Sequence, residues 1–321
     1  MSCVILYMNL GIVISTGFMI LMAVALVYSL KTLLDTPTVS LIVPGVEVPG
    51  SPIFIPLLSG LIGLATVLIV HEFSHGILSR VEKININSIG LLLFAVIPGA
   101  FVEPDEEKLK SAKKTSRLRV YAAGSIANIT LAVIALLLVS LISAGIPTFF
   151  AEDGIAIDRI VSDSPSDGIL KEGMVLKAID NHQINDSSSY GEIITGYNPG
   201  DNVTVQTDQG SYSLTLDKNP NNESRGFFGI QATKHFKLIN DSLGPIPWVL
   251  FELLELFQWI FMLNLGIGLF NLLPLKPLDG GHMLEILLSY KLPEDKCKPL
   301  VNALSLVMAM IIVFSIVAGF L

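Results

Sequence analysis

Apolar residues along this chain gather in long runs rather than at a strict helical or strand spacing. Five of them, Ile5 to Leu30, Ile53 to Leu78, Leu118 to Ala144, Leu256 to Leu273 and Leu300 to Leu321, come close to or exceed the ~20 residues a helix needs to cross a bilayer. The fourth is the least clean: Glu252 and Glu255 mark its entry and Pro274 breaks its far end. The first is too long for a signal-peptide core and lacks a basic start and a small-residue cleavage site, so it reads as a retained span. Between Ile84 and Val102, short apolar runs are punctuated by Asn85, Asn87, Gly90 and Pro98-Gly99, which predicts strands and turns. A β-hairpin dipping back into the membrane fits, with protein or a wet cavity covering its edges. The alternative is a short helix lying at the interface. From Ala151 to Asn240 the pattern changes to short alternating strands separated by Gly and Pro turns, with a helix from about Tyr190 to Thr195. The predicted fold is thus a multi-pass α-helical membrane protein with a re-entrant β-hairpin and an inserted β-rich domain.

Composition agrees. Of 321 residues, 51% are apolar and 15% are charged, against about 25% charged in soluble domains. The net charge of -8 argues against a nucleic-acid partner, and most of the negative charge lies in the polar segment. Cys3 and Cys297 flank different spans and imply no disulfide framework. Lys108, Lys110, Lys113, Lys114, Arg117 and Arg119 fill the loop after the second span, with Arg80 and Lys83 closing that span. By the positive-inside rule this loop faces the cytoplasm and the β-rich segment lies outside a cell membrane.

The second span ends in His71-Glu72-Phe73-Ser74-His75. Positions i and i+4 share a helix face, so the two imidazoles can grip one Zn²⁺ with a carboxylate beside them. The pattern arises by chance in roughly one chain in a hundred of this length. The competing reading, two core histidines with Glu72 paired elsewhere, needs three satisfied polar groups at membrane depth, where each is costly. His75 precedes Arg80 by five residues, roughly 7–8 Å along a helix, so the site would sit below the cytoplasmic surface within reach of water. A catalytic zinc wants a third protein ligand. The segment Asn271-Leu-Leu-Pro274-Leu-Lys-Pro277-Leu-Asp279-Gly280-Gly281-His282 supplies one in Asp279, with His282 a rival that spacing does not exclude.

Together H-E-F-S-H, Gly124-Ser-Ile-Ala-Asn128 and N-x-x-P-x-x-P-L-D-G-G resemble the motifs of the site-2 protease family, M50-type intramembrane zinc metalloproteases, and their order matches over about Ile53 to Leu321. That resemblance implies that His71, His75 and Asp279 ligate one catalytic Zn²⁺, that Glu72 is the general base, that Asn271 holds an unwound substrate strand, and that His282 stands outside. Gly124 and Asn128 would pack helices, Asn128 through a plain interhelix hydrogen bond. The run from Ser164-Pro165 through Gly173 to Asp180-Asn181, followed by Pro199-Gly200-Asp201, resembles a PDZ domain; a generic β spacer is the plainer reading. The implied organisation is an N-terminal helix and connector over 1–52, the first half of the protease core over 53–145, a PDZ-like domain over 150–236 and the second half over 245–321. Implied partners are the lipid bilayer, single-span membrane-protein substrates, and a peptide or cleaved tail at the PDZ-like domain. A catalytically silent scaffold acting through that domain is the alternative function. A transporter is a poorer one, since no inverted repeat of broken helices is visible.

Overall fold

The computed structural model describes residues 2–31, 42–48, 51, 53–94 and 97–318. In chain order these form α1 (Ser2–Ser29), α2 (Leu57–Val81), β1 (Ile86–Phe94), β2 (Ile97–Pro104), α3 (Glu106–Ser111) and α4 (Lys114–Phe149). Next come β3 (Phe150–Ile160), β4 (Val175–Ile179), β5 (His182–Gln183), α5 (Ser187–Ile194), β6 (Asn202–Thr207), β7 (Gly210–Thr215), β8 (Asp217–Asn219), β9 (Asn222–Phe227) and β10 (Ile230–Leu238). The chain closes with α6 (Val249–Phe270), α7 (Asp279–Leu288) and α8 (Glu294–Ala318). Two compact units result: Met1–Ile142 with Leu250–Leu321, and Ser143–Val249.

The first unit is helical. Among the described residues five helices, α1, α2, α4, α6 with the turn before it, and α8, are long and apolar enough to cross a membrane. Leu6, Leu58, Leu137 and Leu141 stay exposed on them, as suits helices solvated by lipid tails. The chain is a multi-pass helical membrane protein carrying a β-hairpin and an inserted β-rich domain. Since lipid supplies no hydrophobic drive between helices, small residues and polar pairs must hold them. A Cβ at Gly63 of α2 would meet Leu263 Cδ1 of α6 at 2.7 Å, and one at Gly268 of α6 would meet Asn128 Cβ of α4 at 3.1 Å. The Asn264 amide donates to Thr66 Oγ1 at 2.9 Å, and Ser59 donates to Glu255 at 2.8 Å. These contacts bring α2, α4 and α6 to close approach. The hairpin β1–β2 is antiparallel, and β2 packs on α2.

Two details differ from the sequence reading. The basic stretch expected as a loop is mostly helix: Lys108 and Lys110 lie in α3, capped by Asp105, and Lys114, Arg117 and Arg119 lie in the first turns of α4. Polar helix ends carry no apolar run to reveal them. Glu252 and Glu255 likewise sit within α6, rather than ahead of it.

The second unit is a sheet ordered β10-β3-β4-β6-β7, with β5 paired to β4 and a separate β8–β9 hairpin. Its core gathers Ile155, Ile157, Leu176, Ile179, Val203, Val205 and Leu214, with Tyr190, Ile193 and Ile194 of α5 packed against it. Asp180 and Asn181 both take positive φ between the paired Ile179 and His182, as a two-residue hairpin turn of right twist demands. Asp186 caps α5 in a reciprocal capping box with Ser189, one turn earlier than the predicted helix start.

Two carboxylates at the start of β3 couple this domain to pH. The Lys234 ammonium, then the Ser187 N–H, hold Glu152 below the usual carboxylate range, and Lys177 and then Lys237 do the same for Asp153. A carboxyl depressed in the folded state stabilises that state above its unfolded pKa, and the contribution is lost as pH falls through the folded value. Hydrogen-exchange protection across residues 150–238 of the intact protein, corrected for the intrinsic pH dependence of exchange, is therefore expected to be flat from neutrality to about pH 5 and to fall below about pH 4. Lys177→Met with Lys234→Met should flatten that acid limb.

Candidate metal centre

His71 and His75 lie one turn apart on α2, and α7 opens with Asp279. The Nε2 atoms of the two histidines are 3.1 Å apart, and Asp279 Oδ2 lies 3.2 Å from His71 Nε2 and 3.3 Å from His75 Nε2. These three residues alone form a group able to hold a metal among the described residues. Ligand atoms at ~2.0–2.1 Å from a tetrahedral Zn²⁺ stand about 3.3–3.4 Å from one another, so the triangle has the size that ion requires. Asp279 Oδ2 is buried and makes no hydrogen bond of acceptable geometry despite those short distances. That fits three acceptors facing one cation better than three groups sharing protons.

The far ring nitrogens fix the near ones. His75 Nδ1 lies 2.7 Å from the Val120 carbonyl, which only accepts, so Nδ1 carries the proton and Nε2 presents its lone pair. His71 Nδ1 lies 3.2 Å from the Asn128 amide, whose Oδ1 is buried without a partner. Exchanging the amide's O and N lets Oδ1 accept from Nδ1–H and bares His71 Nε2 in turn. Asn128 thus does make the expected interhelix bond, but it makes it to a candidate ligand. Between these two contacts sits Gly124, where a Cβ would fall 2.5 Å from His75 Nε2 and 2.6 Å from His71 Cε1. Gly124→Ala, harmless to helix propensity, should weaken zinc about 10–100-fold, as disturbing the support of metal ligands does. Titration against a chelator of known affinity would measure this.

Two prolines end α6 and free the chain to turn back. Gly280 N–H donates to the Asn271 carbonyl at 2.8 Å, and a Cβ at Gly280 would meet Leu272 O at 2.2 Å. The Asp279 carboxylate reaches the histidines because the backbone behind it lies this close to the α6 terminus. His282 stacks on Tyr121 with ring centroids 4.8 Å apart and does not join the metal group.

The three candidate ligands, Glu72 and Asn271 line one cavity of about 960 Å³. The ligand side chains keep 12–13% of their exposure, so one side of the triangle remains open. Glu72 Oε2 accepts from the Val102 N–H of β2 at 3.2 Å. Every site residue expected from the sequence therefore lies at this cavity. Sequence reasoning missed Val120, the contact of Gly124 with both rings, and the attachment of Asn128 to His71. The available signal was the four-residue step Val120, Gly124, Asn128, which matches the step of His71 and His75 on the facing helix.

Residues 59–312 match the model of Peptidase family M50. An uncharacterized protein of the archaeon Methanocaldococcus jannaschii is 28% identical over 71% of this chain. The chain spans 57% of that relative's length. The chloroplastic membrane metalloprotease ARASP of Arabidopsis thaliana is 24% identical over 73% of this chain and 71% of its own. Among solved structures, the PDZ domain of an SdrC-like protein from Listeria innocua is 23% identical, covering 26% of this chain and 97% of its own with a TM-score of 0.24.

Proposed function

The chain belongs to Peptidase family M50, and on that footing we propose that it is a zinc-dependent intramembrane endopeptidase of the site-2 protease type. Its substrates would be membrane proteins cut in or near their transmembrane segments. One observation carries the reading: two Nε2 atoms and one carboxylate oxygen within 3.3 Å of one another, open to a cavity that also holds Glu72.

His71, His75 and Asp279 would hold the Zn²⁺, which would supply Lewis-acid activation of a water, to a pKa of about 7, and of the scissile carbonyl. Glu72 takes the proton from water and returns it to the leaving amine. Asn271 satisfies a backbone group freed when the substrate helix unwinds, since an intact helix hides its carbonyls in its own hydrogen bonds.

By the charge of its flanking segments, the site faces the cytoplasmic side and the PDZ-like domain the outside, where it would receive an extended peptide or the new tail of a trimmed substrate. If deleting residues 150–236 left selectivity against bulky substrates unchanged, that domain would be a spacer. The silent-scaffold alternative is disfavoured because a scaffold needs neither the ligand triangle nor the contacts that orient it. Elemental analysis combined with cleavage of a synthetic single-span peptide in liposomes separates the two. One zinc per chain, with cleavage lost to chelator and restored by zinc, is expected. Zinc without cleavage would favour the scaffold, and no zinc would refute the metal centre.

A further inference from the structure

Arg117 stands in the wall of the metal cavity without an anion to hold. On α4 it shares a face with Tyr121, Gly124 and Asn128, spaced at i, i+4, i+7 and i+11. Gly124 and Asn128 on that face touch the candidate ligands, and Tyr121 stacks on His282 of α7. Arg117 Nε is buried with no hydrogen-bond partner, and no ion pair joins its guanidinium among the described residues. Its charged neighbours are already engaged. In the same wall Lys110 pairs with Glu106, Lys276 pairs with Glu285, and Glu103 accepts from Ser88 at 2.5 Å. Arg119, two residues on, is satisfied by Glu82 at 2.7 Å and Asn9 at 2.8 Å. Lys298 lines the cavity too, but it is exposed. A guanidinium cannot shed its proton, and burying it unpaired is costly. The start of α4 adds to that cost, since a helix N-terminus is the positive end of its dipole. An anion would relieve both, and a carboxylate matches the planar fork with two parallel hydrogen bonds.

Resting on the proteolytic reading above, we propose that Arg117 selects substrates by an acidic side chain, Asp or Glu, at a fixed distance from the scissile bond. Seven residues of helix separate Arg117 from Gly124, which faces both histidine rings, a rise of about 10 Å. An unwound substrate advances about 3.3 Å per residue, so the acid falls about three residues from the bond that is cut. The anion is a substrate carboxylate rather than a lipid phosphate because Arg117 shares its cavity with Glu72 and the ligand triangle. An arginine serving headgroups would stand on the lipid-facing surface instead.

The test is a scan on the full-length, zinc-loaded protein in liposomes. Synthetic single-span peptides carry one Glu, or its neutral isostere Gln, at each position in turn on both sides of the scissile bond. The ratio of kcat/KM for Glu over Gln should reach about tenfold at one position, two to four residues from the cut and on one side of it, and stay near one elsewhere. Arg117→Met should bring the ratio at that position down to near one. The ratio cancels any general loss of activity, so a merely structural role would leave it unchanged. If the methionine variant does not fold, Arg117→Lys carries this arm: it keeps the charge without the fork, and the ratio should fall severalfold. A flat scan on the unaltered protein, as expected if the guanidinium served a lipid phosphate or the fold alone, would overturn the proposal. So would a Glu preference that survives both substitutions. Failure of the unaltered protein to cut any Gln or Glu peptide would instead refute the proteolytic reading itself.

Discussion

Glu72→Gln is expected to keep one zinc per chain and to lose cleavage about a thousandfold, equivalent to ~4 kcal/mol of transition-state stabilisation. The amide is isosteric and can still accept from the Val102 N–H, so the hairpin and the ligand triangle should stay in place. What disappears is the group that, in the proposed mechanism, takes a proton from water and carries it to the leaving amine. The ligand triangle does not include Glu72, so metal content and rate should separate cleanly. If Glu72→Gln cleaved at the wild-type rate, the general base would have to be sought elsewhere. If it lost zinc as well, Glu72 would be acting as a ligand.

Asp279→Ala is expected to lose zinc and cleavage together, in contrast to that separation. Structural zinc sites with four ligands are worth about 10–16 kcal/mol, so one ligand accounts for ~2.5–4 kcal/mol, a drop of roughly a hundred- to a thousandfold in affinity. Two neutral imidazoles without the carboxylate would also leave the ion's charge uncompensated in a poorly hydrated place. His282→Ala is the control: its ring stacks on Tyr121, outside the triangle, and zinc should remain bound. Retention of zinc by Asp279→Ala with loss from His282→Ala would reverse the ligand assignment.

The parts of the fold that rest on one long run of like residues were legible in the sequence. Hydrophobic length alone located the spans, because lipid admits only segments that satisfy their own backbone. The pairing of α2 with the α6–α7 turn was legible by another route, since two histidines at i and i+4 are an incomplete zinc site and Asp279 follows a proline-broken span. What stayed hidden depends on register. That Val120 and Asn128 hold the far nitrogens of the two histidines follows from the rotation of α4 about its axis, and apolar runs all round a helix do not encode rotation. That Val102 faces Glu72 follows from the parity of one hairpin, where a slip of one residue would turn every edge group the other way. His282 could not be set aside by spacing, because only the packing of Tyr121 shows where its ring goes.

The close backbone approach behind Asp279 divides its motif into separable parts. Gly280 and Gly281 are demanded by sterics, as a Cβ at either would lie within 2.6 Å of the backbone of Leu272 to Lys276. If the proposed hydrolysis holds, descendants that abandoned it would still need the paired glycines to fold, whereas the acid ahead of them would keep only the small benefit of an acid in the first turn of α7. Lineages that drifted to inactivity should thus keep the glycine signature long after their chemistry has gone, and position 279 is the place to look for the change.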